Sequence, residues 1–139
     1  MYYRNAYDYD TLRRLLLDPH RSAGTSVVLC AIDPLTQQDH SSTVTAIEPN
    51  SVLIVDGVFA FRPEIDEYWD LRIWLEVPVE LSMRRGTERD RHRTRSITDP
   101  AHQRYLVSEN IYVREVDPSA LADLIFDNSV FTSPRLMRS

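Results

Sequence analysis

The run Ser51-Val52-Leu53-Ile54-Val55 leads directly into Asp56 and Gly57. Consecutive aliphatic residues of this kind read as a strand buried on both faces, the type found in parallel sheets. Asp56 stands where that strand ends, and ligands gather at the carboxyl ends of strands in open α/β sheets. A carboxylate there is placed to hold Mg²⁺ beside the phosphates of a nucleotide. The glycine after it lets the backbone turn sharply. Asp-Gly also makes a good turn after any buried strand, so the pair alone leaves both readings open.

Arginine supplies the second set of candidates. Arg84, Arg85, Arg89, Arg91, Arg93 and Arg95 fall within twelve positions. A planar guanidinium suits bidentate contact with phosphate. Glu88 and Asp90 lie among them, so a solvated helix face is the competing reading. Asp8, in the run Tyr7-Asp8-Tyr9-Asp10, is a third candidate, with helix capping as its rival role. His20, His40, His92 and His102 show no metal-ligand spacing. The serines and threonines form no nucleophile-elbow pattern, so a hydrolase triad has no support.

The elements that must position these residues follow from period and punctuation. Asp10 is expected to cap a helix over 11–17, whose Leu12, Leu15 and Leu16 share a face, and Asp18-Pro19 to stop it. Residues 26–32 and 42–47 read as two strands joined by a polar loop. Glu48-Pro49-Asn50 turns the chain into the strand ending at Asp56. Pro63 lies in a short helix, and Trp69 to Pro78 carries a second strand. A helix over 79–92 follows, with Glu80 and Arg84 spaced for an i,i+4 pair. A mobile polar loop over 94–100, a helix over 101–114 and a third buried strand, Ala122 to Asn128, complete the pattern. The tail over 130–139 is expected to be loose.

In this order the pieces resemble the uridine kinase family of P-loop nucleoside kinases. The resemblance rests on the strand-end Asp56-Gly57, the DLRIWLEVP strand at 70–78, the RRGTERD helix segment at 84–90 and the ADLIFDN strand at 122–128. The segment AYDYDTLRRLLLDP at 6–19 looks like the part of the family that follows its substrate loop. The resemblance implies an α/β P-loop NTPase-like fold, a parallel sheet flanked by helices, with a small β-hairpin insertion. It implies ATP and Mg²⁺ as cofactors in a complete homologue. The activity implied is transfer of the γ-phosphoryl group to a hydroxyl on a nucleoside or similar small molecule. Asp56 would then serve the metal, Arg89 and Arg93 the moving phosphate as lid residues, and Asp8 and Asp33 the substrate. Uridine kinases carry an aromatic and a histidine in the hairpin, where this sequence has Ile32 and Gln37. Uridine is therefore expected to be a poor substrate. A different alcohol, as phosphoribulokinase and pantothenate kinase use in the same superfamily, stays open.

One family element is missing from these residues. The sequence holds no G-x-x-x-x-G-K-[ST], no lysine, and only three well-separated glycines. A P-loop needs a lysine and a cradle of backbone N–H groups around the phosphates. The chain as it stands is therefore expected to be inactive. Two accounts are open: a longer reading frame of which this is a part, favoured by the retained order of the pieces, or a short protein without that half. The missing P-loop strand would leave sheet edges open, and open edges promote self-association. The rival function is a non-catalytic interaction or regulatory protein on a kinase scaffold.

Composition bounds the rest. At 139 residues a single domain over 1–139 is expected, and 42% hydrophobic residues suffice for a core. A net charge of −5 gives no reason to expect a nucleic-acid partner. The apolar runs are too short to span a bilayer, and no secretory signal pattern opens the sequence. Cys30 is the single cysteine. A free thiol fits the cytoplasm, the expected location.

Overall fold

A computed structural model describes residues 2–89 and 100–139 of the chain. The arginines at 91, 93 and 95 and the loop expected over 94–100, up to residue 99, lie outside the described residues. Contacts divide the chain into two compact units, Asn5–Tyr68 and Met1–Arg4 with Trp69–Ser139. Tyr2–Asn5 forms a short helix, α1.

In the Asn5–Tyr68 unit the helical segment starts earlier and ends later than its sequence implies. Asp8, not Asp10, caps α2 (Tyr9–Leu12) by accepting from the Thr11 amide at 3.0 Å. The chain then widens into a π-turn over Arg13–Leu17 and continues as α3 (Asp18–Arg21). Pro19 does not stop it. Proline has no N–H for the carbonyl four residues back. Here that carbonyl, on Leu15, accepts instead from the Val28 amide at 2.9 Å. Leu16 and Leu17 are buried, as are Val27, Val28, Phe59, Phe61 and Ile65. These apolar groups form the core of this unit.

The expected hairpin is present but short. Strands β1 (Ser26–Val27) and β2 (Thr45–Ala46) pair antiparallel, with Ser26 opposite Ala46. An isolated bridge joins Ile32 to Asp39 farther along the loop. After Asn50, which turns the chain at φ 65°, the 51–55 segment takes no strand assignment. This corrects the expectation of a buried parallel strand. No strand among the described residues pairs with it, and Val52 and Ile54 are 86% and 85% exposed. A strand needs a ladder partner for its backbone groups, and aliphatic composition alone does not supply one.

In the other unit three strands form one sheet in the order β3-β4-β5. Strand β3 (Ile73–Glu76) runs parallel to β4 (Leu124–Asp127), with Ile73 opposite Leu124 and Glu76 opposite Asp127. Between them lie α4 (Val79–Arg89), α5 (Pro100–Val116) and α6 (Pro118–Leu121). The tail is ordered: β5 (Arg135–Arg138) pairs antiparallel with β4. Arg135 reaches Asp127 at 2.9 Å, and Arg138 bonds the Ser119 carbonyl at 2.7 Å and the Ala122 carbonyl. The tail expected to be loose is thus fastened by its own arginines. Tyr3 packs near Tyr112, ring centres 6.3 Å apart, and both are buried. The fold is α/β. Its sheets are small, and one strand pair is parallel where a full parallel sheet was expected.

Candidate functional site

Asp56 is exposed and follows the 51–55 segment. The segment is anchored at its start, where the Ser51 amide donates to the Glu48 carbonyl at 3.1 Å and His20 Nε2 meets the Ser51 carbonyl at 3.1 Å. The bend after Asp56 is made differently from the expectation. Gly57 does not take a positive φ; Phe59 does, at 61°. A buried aromatic in the left-handed region is strained by about 1–3 kcal/mol. The Phe59 ring stays in the core, so burial offsets that cost. Gly57 has another reason to be glycine. A Cβ there would stand 3.0 Å from the Tyr7 hydroxyl, tighter than ordinary contact. The Asp56-Gly57 turn and the Tyr7-Asp8 segment are therefore neighbours within this unit.

Asp8 and Asp33 each spend one oxygen on the backbone. The Thr11 amide, above all, holds the Asp8 carboxyl below its ordinary range. Asp33 Oδ1 accepts from the Thr36 amide at 2.8 Å and the Leu35 amide at 2.7 Å, which likewise lowers its pKa. Both groups stay ionised to lower pH than usual. A carboxylate has about four lone-pair sites, so each retains capacity for a ligand hydroxyl. Ile32 is exposed, while Gln37, at φ 60°, donates its side-chain amide to the Pro34 carbonyl at 3.1 Å. The hairpin tip thus presents no ring and no imidazole at these two positions.

The arginine run divides. Arg85 is structural: its guanidinium donates to the Asn128 carbonyl at 3.0 Å and the Ser129 carbonyl at 2.9 Å. That fork ties α4 to the carboxyl end of β4. Arg84 and Arg89 are exposed, with Arg89 closing α4. Arg93 lies outside the described residues. Asp127 was not singled out from sequence. The Ser129 and Arg135 bonds hold its carboxyl well below the usual carboxylate range. An acid at the end of the third strand was the available signal, and its partner arose from a tail expected to be loose.

Among the described residues no group of three or more His, Cys, Asp or Glu could hold a metal ion. Mg²⁺ in nucleotide sites uses one or two carboxylates plus substrate phosphates and water, not an all-protein cage. The single exposed carboxylate of Asp56 fits that donor set and does not make a site for the free ion. No helix among the described residues is long and apolar enough to cross a membrane.

No curated protein and no solved structure matches the chain significantly. The family model described as Phosphoribulokinase / Uridine kinase family matches residues 3–132. That span takes in the Asp56 turn, the β3-α4 segment with Arg89 and the β4 strand, so the chain belongs to the phosphoribulokinase and uridine kinase family.

Proposed function

We propose that this chain carries the metal-acid and lid portions of an ATP-dependent phosphotransferase whose acceptor is a hydroxyl on a nucleoside or similar small molecule. The observation that carries the reading is the family match over residues 3–132. Asp56 would hold Mg²⁺, directly or through water, beside the phosphates of ATP. Bound there, the ion neutralises phosphate charge. Arg89 and Arg93 stabilise charge on the phosphoryl group in flight, as bidentate donors do. Asp8 and Asp33 accept from substrate hydroxyls with the lone pairs their backbone bonds leave over. Uridine is a poor acceptor, because Ile32 and Gln37 offer neither stacking nor a base-edge imidazole. The exposed thiol of Cys30 fits a reducing, cytoplasmic setting.

A second reading, a non-catalytic interaction protein on the same scaffold, is favoured by the exposed Val52 and Ile54 and the absence of any lysine. ATP-dependent ADP release decides between them, measured across nucleosides and small alcohols. The chain is assayed alone and with a G-x-x-x-x-G-K-[ST] strand segment fused ahead of it. Turnover only in the fusion, abolished by Asp56→Asn, supports the kinase reading. No turnover and no Mg·ATP binding in a folded fusion supports the interaction protein.

A further inference from the structure

Asn50 and Asn128 each stand before a serine. That dipeptide has a chemistry of its own. The backbone nitrogen after an asparagine can attack the side-chain amide carbon, and the small side chain of serine leaves the approach open. The structure treats the two pairs differently.

Asn128-Ser129 is locked. The Asn128 amide donates to the Glu76 carbonyl at 2.9 Å, and the Asn128 carbonyl accepts from Arg85 at 3.0 Å. The Ser129 amide, whose nitrogen would attack, donates to Asp127 Oδ1 at 2.9 Å, and the Ser129 carbonyl accepts from Arg85 at 2.9 Å. Both residues are half-buried. Attack there requires several of these bonds to open together. Asn50-Ser51 is the reverse case. Both residues are exposed and lie outside every helix and strand. Asn50 takes φ 65°, a left-handed conformation that asparagine tolerates better than most side chains. Its side-chain amide makes no hydrogen bond among the described residues. The Ser51 amide donates to the Glu48 carbonyl at 3.1 Å, near the long end of the hydrogen-bond range. The other two asparagines, Asn5 and Asn110, belong to the helices α1 and α5.

We propose that Asn50 is a site of spontaneous modification, deamidated through a cyclic imide formed with Ser51, with water as the co-reactant. The Ser51 nitrogen gives up its proton and bonds to Asn50 Cγ. The Cγ–Nδ2 bond breaks, and ammonia leaves with that proton. Water then adds to one of the two imide carbonyls. Opening at one restores the ordinary main chain with aspartate at position 50. Opening at the other leaves isoaspartate, whose main chain runs through Cβ and Cγ. Nothing is oxidised or reduced. Either product adds a carboxylate to a chain of net charge −5. Isoaspartate also lengthens the main chain just ahead of Ser51, whose amide and carbonyl anchor the segment that runs to Asp56. The inference is independent of the reaction proposed above.

The test is incubation of the folded chain at neutral to mildly alkaline pH, then cleavage before aspartate and mass spectrometry. Fragment 39–55 carries Asn50, and fragment 127–139 carries Asn128. In the folded chain Asn50 is expected to convert from amide to acid at least about tenfold faster than Asn128, because opening the second site costs more. Isoaspartate, which the protease leaves uncut, is expected beside aspartate, which creates a new cut at position 50. In denaturant the two rates are expected to converge, since both sites are Asn-Ser. Ser51→Val, whose branched side chain crowds the nitrogen, should slow conversion of Asn50 in the folded and the denatured chain alike, with circular dichroism confirming the fold. Equal rates at the two sites of the folded chain, or a faster rate at Asn128, overturn the proposal. So does an Asn50 that stays an amide while the denatured chain reacts. Aspartate as the sole product, or a rate indifferent to Ser51→Val in both states, overturns it too, because direct hydrolysis needs no imide.

Discussion

Asp127 and Arg85 show how much of the chemistry at the residue scale is committed to holding the chain together. Asp127 accepts from Ser129 and Arg135, and those bonds lower its pKa below the ordinary 3.8. A carboxyl whose folded pKa is depressed stabilises the fold above its unfolded pKa and loses that contribution as pH falls through the folded value. Thermal unfolding of the native chain should therefore lose stability on acidification below about pH 4. In Asp127→Asn that acid limb should be shallower, and the two chains should converge at low pH. Arg85→Ala removes two charge-assisted bonds to the Asn128 and Ser129 carbonyls. A loss of about 2 kcal/mol or more is expected in denaturant unfolding, against ~0.5 kcal/mol or less for exposed Arg84→Ala. Arg89 carries a different expectation. In a fusion that turns over ATP, Arg89→Ala should lower the rate by about 10³-fold. Arg95→Ala should change it little. Equal, small effects in steady-state kinetics would remove Arg89 from the lid.

Elements built from local signals were legible in the sequence, and those built from partners were not. The hairpin, β3, α4, α5 and β4 fall where period and turn residues place them, because each signal is carried by the residues of that element. Two elements were misplaced. The 51–55 run has the composition of a strand but no ladder partner among the described residues, so it takes no strand assignment and leaves Val52 and Ile54 exposed. Arg135–Arg138 has the composition of a tail yet pairs with β4, because Asp127 and the Ser119 and Ala122 carbonyls receive its guanidinium groups. Long-range acceptors of this kind leave no periodic trace. The helix start was ambiguous for a local reason: Asp8 and Asp10 are both capping residues, and only geometry shows that Asp8 accepts from Thr11. Asp8→Ala should accordingly lower the melting temperature by a few degrees. Asp10→Ala should hardly move it, since its one described ion pair, to Arg13 at 3.7 Å, is exposed.

At the scale of the whole molecule, the family assignment and the residues present point in different directions. Order and spacing put forward Asp56 and Arg89 as candidates, and both are exposed at the ends of their segments. Phosphoryl transfer, however, depends almost wholly on positioning and on fixed charge around the phosphates. This chain has no lysine, and its glycines are accounted for otherwise. A Cβ at Gly24 would strike the Pro19 carbonyl at 2.7 Å, Gly57 makes room for Tyr7, and Gly86 sits in the middle of α4. None takes a positive φ, and the three lie far apart in the sequence. The chain alone should therefore show no ATP-dependent turnover with any nucleoside or small alcohol in a coupled assay. It should also bind Mg·ATP no more tightly than ~1 mM in calorimetry. Asp56→Asn should leave both results unchanged, because a single carboxylate without the phosphate cradle fixes neither the nucleotide nor its metal. Turnover by the native chain that disappears in Asp56→Asn would show that arginine and backbone groups already present do the work assigned to the missing lysine and loop.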